Sequence, residues 1–194
     1  MGCGSVSAQI ELIAPQAKTS DVVDALRRLH PTHDGQWCFI DELRLGVGYS
    51  KSTCEQRLDA LATHCWTPYE RVAYEVKTSR SDFLREMKKP AKRKRGLMLS
   101  NEFFFAAPAG LIAPEEVPPE CGLYEVSWSY RNTNQHFVAN ADEGPGYHGG
   151  HYEYDRVERF VAKVKVPAPH RDSYPPTWNF VAAVMRRMQN QVTP

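Results

Sequence analysis

None of the five cysteines (Cys3, Cys38, Cys54, Cys65, Cys121) stands at the C-x-x-C spacing of a zinc knuckle or thiol redox site, and their odd number excludes a fully paired disulfide framework. A reducing, cytoplasmic setting is the expectation. No window approaches the roughly 18 consecutive apolar residues of a membrane span, and no signal peptide is visible, so no membrane partner is expected. Excess charge of one sign is missing too. The 24 Lys and Arg face 23 Asp and Glu, a net charge of +1, so the chain as a whole carries no nucleic-acid signal. The stretch Gly46 to Ser52 lacks the Gly-Lys-Ser/Thr ending of a phosphate loop and reads as a flexible turn, and no small-molecule cofactor is expected. Internal repeats are absent.

What is present suits one domain, residues 1–194, long enough to bury a core. Residues 1–18 read as a flexible N-terminus. Thr19-Ser20 can cap a helix with Val22, Val23, Leu26 and Leu29 on its apolar face. Leu97 to Leu99 and Phe103 to Ala107 read as buried central strand, and Leu123 to Val126 as an edge strand. Residues 131–155 are polar and glycine-rich and read as a surface loop insertion. His148 and His151 could hold a metal, but no Cys or further His lies at ligand spacing, so the loop reading is preferred. A strand over Phe160 to Val166 and a helix capped by Thr177 complete the chain, with Trp178, Val181, Met185 and Met188 pointing to the core.

The chemistry concentrates in two short apolar runs, 57–63 and 71–77. Pro68 lies in the loop between them, and a hairpin symmetric about Thr67 sets Asp59 opposite Glu75, Leu61 opposite Ala73 and Arg57 opposite Lys77. Side chains two apart on a strand share a face, so Glu75 and Lys77 point together. Two facing carboxylates repel, and a divalent cation between them is the usual remedy. A lysine beside such a cation can orient or deprotonate a water and offset phosphate charge. From Lys77 to Arg95, nine Lys or Arg stand against only Asp82 and Glu86. Of these, Arg80, Lys88, Lys89, Lys92, Arg93, Lys94 and Arg95 form a candidate surface for a nucleic-acid backbone; the plainer reading is a solvated face. Ser79 can cap the helix that follows, with Asp82 at its third position serving the cap rather than catalysis.

An Asp followed some fifteen residues later by Glu-x-Lys resembles the PD-(D/E)xK nuclease superfamily. The run Tyr74-Glu75-Val76-Lys77-Thr78-Ser79-Arg80-Ser81-Asp82-Phe83, then Lys89-Pro90-Ala91-Lys92, Asn101 to Pro108 and Cys121-Gly122-Leu123, is similar to MmcB-type DNA repair proteins and their phage relatives. The similarity spans roughly Glu42 to Val126. Leu58 stands where the superfamily's nominal pattern has proline, a position that varies widely.

This resemblance implies an α/β, restriction-endonuclease-like fold with a mixed central sheet flanked by helices. It implies a Mg2+- or Mn2+-dependent nuclease acting on DNA in repair or in phage or plasmid DNA metabolism, in the cytoplasm, nucleoid-associated or in the host if phage-encoded. Asp59 and Glu75 would be metal ligands, helped by the Val76 carbonyl, with Lys77 positioning the water. Glu42 resembles the family's auxiliary acid; it could equally be a surface acid paired with Arg44. The alternative is a DNA-binding accessory protein of the same fold that cleaves little or nothing, and an RNA nuclease ranks third.

Overall fold

A computed structural model describes residues 15–44, 57–139 and 150–192. The expected turn at Gly46 to Ser52, most of the expected N-terminal segment and the Asn140 to Gly149 stretch with His148 lie outside the described residues. In chain order the elements are α1 (Thr19–Arg27), β1 (Trp37–Arg44), β2 (Arg57–His64), β3 (Arg71–Val76), α2 (Arg80–Met87), a 3-10 turn at Pro90–Lys92, α3 (Lys94–Leu99), β4 (Glu102–Pro108), a second 3-10 turn at Pro114–Glu116, β5 (Gly122–Ala139), β6 (Gly150–Val166) and α4 (Trp178–Val192). The six strands form one sheet in sequential order, β1-β2-β3-β4-β5-β6. The pairs β3/β4 and β4/β5 are parallel and the other three antiparallel. This is a mixed α/β fold with helices on both faces, consistent with the restriction-endonuclease-like arrangement.

Alternation sorts the strand residues onto two cores. Ala60, Ala62, Val72, Tyr74, Phe104 and Ala106 pack with Val22 and Leu26 of α1 on one face. Leu61, Ala73, Phe103, Phe105 and Leu123 pack with Phe83 of α2 and Phe180 and Ala183 of α4 on the other. Phe103, Phe104 and Phe105 are all buried, as three consecutive aromatic residues require, since each removed from water contributes about 1.5–3 kcal/mol.

The hairpin has the expected register, with Ala60 across from Tyr74 and Leu61 across from Ala73. A parallel connection from β3 to β4 needs a crossover, and α2, the first 3-10 turn and α3 supply it. Leu97 to Leu99 therefore belong to a helix rather than to strand. Gly96 lets α3 press against the sheet: a Cβ there would lie 2.7 Å from Phe103 Cε2 and 2.9 Å from Leu58 Cδ2.

Three further expectations are corrected. Residues 131–139 and 150–155 are not loop but the outer part of the β5–β6 pair, which runs past the sheet from Leu123↔Val166 to Ala139↔Gly150. A two-stranded ribbon beyond the sheet has little core to face, so its sequence need not carry the apolar alternation that marks a half-buried strand. Leu123 to Val126 are consequently not at an edge, because β6 covers them. Helix α4 is capped by Thr177, whose Oγ1 accepts from Phe180 N–H at 3.3 Å, but its inward side is Phe180 and Ala183. Trp178, Met185 and Met188 are exposed. Arg187 fixes that rotation, donating to the Asp41 main-chain oxygen at 2.8 Å and to its carboxylate at 2.7 Å.

Candidate active site

The C-terminal end of β3 meets the start of α2. Glu75 and Lys77 are buried there, 6% and 2% exposed, on the α2 side of the sheet, and Lys77 Nζ donates to Glu75 Oε1 at 2.7 Å. The Lys77 main-chain N–H donates to the Ala106 carbonyl at 2.9 Å, so the lysine is anchored to the neighbouring strand as well. Ser79 caps α2 by accepting from the Asp82 N–H, as expected. That start places Asp82 and Glu86, four residues apart on one helical face, beside Lys77, with their carboxylates 3.5 and 3.7 Å from Nζ.

From the turn that follows, Lys92 reaches back into the same cluster. Its Nζ lies 3.1 Å from Glu86 Oε2 and 3.5 Å from Glu75 Oε1. Glu86 is buried, and its Oε1 has no hydrogen-bond partner.

Asp59 comes from β2, as the hairpin register requires. Its Oδ2 accepts from the Val76 N–H at 2.9 Å, while Oδ1 lies 3.9 Å from Arg57. Arg57 also reaches Glu42 at 3.7 Å, so Glu42 shares a cation with Asp59 rather than pairing with Arg44. Glu42 is the one residue of β1 in the left-handed region, at φ 50°, which is unfavourable for a non-glycine residue, and its side chain is mostly exposed.

The electrostatics follow from this crowding. Burial, reinforced by the Asp59 charge, pushes the Glu75 carboxyl up, against the opposing pull of Lys77 and Lys92. Burial alone would lower Lys77, but Glu75, then Glu86 and Asp82, more than compensate, and its ammonium is held above the ordinary lysine range. Lys92 behaves likewise: burial opposes its charge, and Glu75 and Glu86 raise it. Asp82, despite partial burial, is lowered by Lys77 and Arg85. Lys77 in this state is a fixed cation, suited to orienting a water and opposing phosphate charge, and not a free base.

A hard divalent ion of the Mg2+ type is commonly held by one or two carboxylates, with waters and substrate phosphate completing its shell. Asp59 and Glu75 supply two such groups. Both lysine contacts to Glu75 fall on Oε1, and the partnerless Glu86 Oε1 is a further buried oxygen nearby. Among the described residues no three His, Cys, Asp or Glu side chains form a ready-made ligand group. The residues thus fit an open, oxygen-ligated site and not a closed cage.

The basic run is divided. Arg80 forms a two-pronged pair with Glu116, and Arg93 is buried against Glu120 at 3.0 Å. Lys92 faces the carboxylates. Lys88, Lys89 and Lys94 are exposed and Arg95 half-buried, and none of these four is in an ion pair with a described residue. Sequence reasoning counts Glu86 only as an acid within the basic run, gives it no role at the site, and reads Lys92 as a DNA contact. The signal that could have found Glu86 is its four-residue spacing from Asp82 on a helix whose cap was already located.

No protein-family description matches the chain. No curated protein matches it either. Among solved structures the chain is similar to SPO1766, a protein of unknown function from Silicibacter pomeroyi, at 18% identity with a TM-score of 0.52, over 92% of this chain and 93% of that one. At that identity the likeness speaks to the fold alone. No helix among the described residues is long and apolar enough to cross a membrane.

Proposed function

We propose that the protein is a divalent-metal-dependent nuclease that hydrolyses DNA phosphodiester bonds, in DNA repair or in phage or plasmid DNA metabolism, acting in the cytoplasm. The observation that carries this reading is the convergence of Asp59, Glu75 and Lys77 at one end of the β2–β3 hairpin, with Lys77 Nζ 2.7 Å from Glu75. Asp59, Glu75 and the Val76 carbonyl would hold Mg2+ or Mn2+, which supplies charge neutralisation at the phosphate and acidifies a bound water. Lys77 orients the attacking water and stabilises the negative charge that builds on the phosphoryl oxygens. Its own charge is secured by Glu75, Glu86 and Asp82. Glu42, tied to Asp59 through Arg57, acts as an auxiliary acid at the rim. Lys88, Lys89, Lys94 and Arg95 remain available for the DNA backbone, through contacts that carry no base information.

A DNA-binding accessory protein is the second reading. It is favoured by the extent to which Lys77 and Lys92 already neutralise Glu75 and Glu86, as a purely structural ion cluster would. Cleavage assays separate the two. Linear, circular, single-stranded and branched DNA, incubated with Mg2+, Mn2+ or chelator, should be cut by the wild type only with metal. Glu75→Gln and Lys77→Ala should each lose on the order of 100-fold in rate. Salt-sensitive binding without any cleavage would establish the binder instead, and equal cleavage by all three proteins would place the activity elsewhere.

A further inference from the structure

We propose that Lys92 is the counter-ion built into this site: in the metal-free protein its ammonium bridges Glu75 and Glu86, and a divalent cation bound at Glu75 displaces it. The inference rests on the metal-nuclease reading above and adds to it a residue that sets how tightly the metal is held.

Three observations carry it. First, the two lysines of the cluster differ in what holds them. The Lys77 side chain is 3% exposed and wedged among Glu75, Asp82 and Glu86, whereas that of Lys92 is 50% exposed and reaches in from the end of a three-residue turn. A flexible four-carbon stem with its outer half in water can swing out without disturbing the core. Second, Glu86 is 4% exposed and its Oε1 has no partner, so Lys92 satisfies only one side of a buried carboxylate. A buried carboxylate oxygen without a donor is costly, and a cation or a cation-bound water beside it would relieve that cost.

Third, the charges lie close to balance. Five carboxylates, Glu42, Asp59, Glu75, Asp82 and Glu86, face four cations, Arg57, Lys77, Arg85 and Lys92. Adding two positive charges turns the cluster's excess positive, and Lys92 is the cation bonded to Glu75 that can leave. Once outside, its ammonium joins Lys88, Lys89 and Lys94 on the exposed surface, where an incoming phosphate backbone would meet it. Metal binding and DNA binding would in this way support each other through one side chain.

The test measures Mn2+ binding to the apoprotein directly, by electron paramagnetic resonance of the free ion, in wild type, Lys92→Met and Glu75→Gln. Lys92→Met, which keeps the length and removes the charge, should bind Mn2+ roughly tenfold more tightly than wild type, and Glu75→Gln should lose the site. In parallel, amine labelling of the wild type read by peptide mass spectrometry should modify Lys92 slowly in chelator and faster in Mn2+. In Glu75→Gln, labelling of Lys92 should proceed at the same rate in both conditions. Glu75-dependent Mn2+ binding that is unchanged or weakened in Lys92→Met, or Lys92 labelling indifferent to Mn2+, would overturn the counter-ion role and leave the nuclease reading standing. No Glu75-dependent Mn2+ binding in either wild type or Lys92→Met would end both.

Discussion

Neighbouring residues of β3, Tyr74 and Glu75, head two buried polar groups on opposite faces of one sheet, and the two have opposite electrical character. On the α1 face, Tyr74 is fully buried with its hydroxyl 2.6 Å from His30 Nε2, and the imidazole packs against Trp37 and Phe39. Burial lowers His30 to about 4 and raises the Tyr74 hydroxyl above the ordinary tyrosine range, so the pair is neutral at physiological pH. On the α2 face, equally deep groups are held in ion pairs instead, because α2 and the turn after it bring Asp82, Glu86 and Lys92 to Glu75 and Lys77. Burial depth alone therefore does not mark a site. The supply of counter-charges decides whether burial neutralises a group or pairs it, and only the paired face can present charge to a phosphate.

The largest expected effect lies in activity. If the faces differ as described, Glu75→Gln loses on the order of 100-fold in DNA cleavage, while Tyr74→Phe cuts DNA at close to the wild-type rate. Tyr74→Phe instead loses about 1–3 kcal/mol of stability, because the His30 ring is left without its partner, as urea unfolding would show. Comparable loss of cleavage in both variants would break the contrast.

The next effect is in pH dependence. His30 has a folded pKa below its unfolded value, so the unfolded chain takes up a proton that the folded chain refuses. The stabilisation is fully present above about pH 6.5 and is lost as pH falls toward 4, by up to about 3 kcal/mol. Urea unfolding of wild type and His30→Gln between pH 7 and pH 4 should give curves that converge as the pH drops. Parallel curves would mean that the α1 face does not exclude the proton.

Much of this was legible in the sequence, for identifiable reasons. The register that pairs Leu61 with Ala73 follows from two short apolar runs and a short loop, because a one-residue slip would exchange every side chain between the two packed faces. The Ser79 cap and the buried Phe103 to Phe105 were local signals of the same kind. Glu86, Lys92 and Arg93 were not legible. Each acquires its partner only when the crossover folds back on β3 or toward Glu120, and a lysine or arginine in a basic run looks the same whether it meets water, phosphate or a buried carboxylate. The inward face of α4 escaped for a related reason: two apolar stripes compete on that helix, and Arg187 bonding to Asp41 of β1 selects between them.

The smallest effect concerns how the charged face is held in place. Helix α2 is only eight residues long, too short to be stable by itself, and its first turn depends on Ser79 accepting the Asp82 N–H. Ser79→Ala should cost about 1 kcal/mol in unfolding free energy. Because Asp82 sits in that first turn, its fraying also loosens one of the three carboxylates around Lys77. Cleavage should fall only several-fold, far less than in Glu75→Gln, since that acid is displaced and not removed. The α1 face offers the matching control. Helix α1 is closed by the Asp21 carboxylate accepting the Lys18 N–H at 2.8 Å, so Asp21→Ala should cost a similar amount of stability with no change in cleavage per folded molecule. Equal activity losses from the two cap deletions would show that the rate follows overall stability and not the position of the acids beside Lys77.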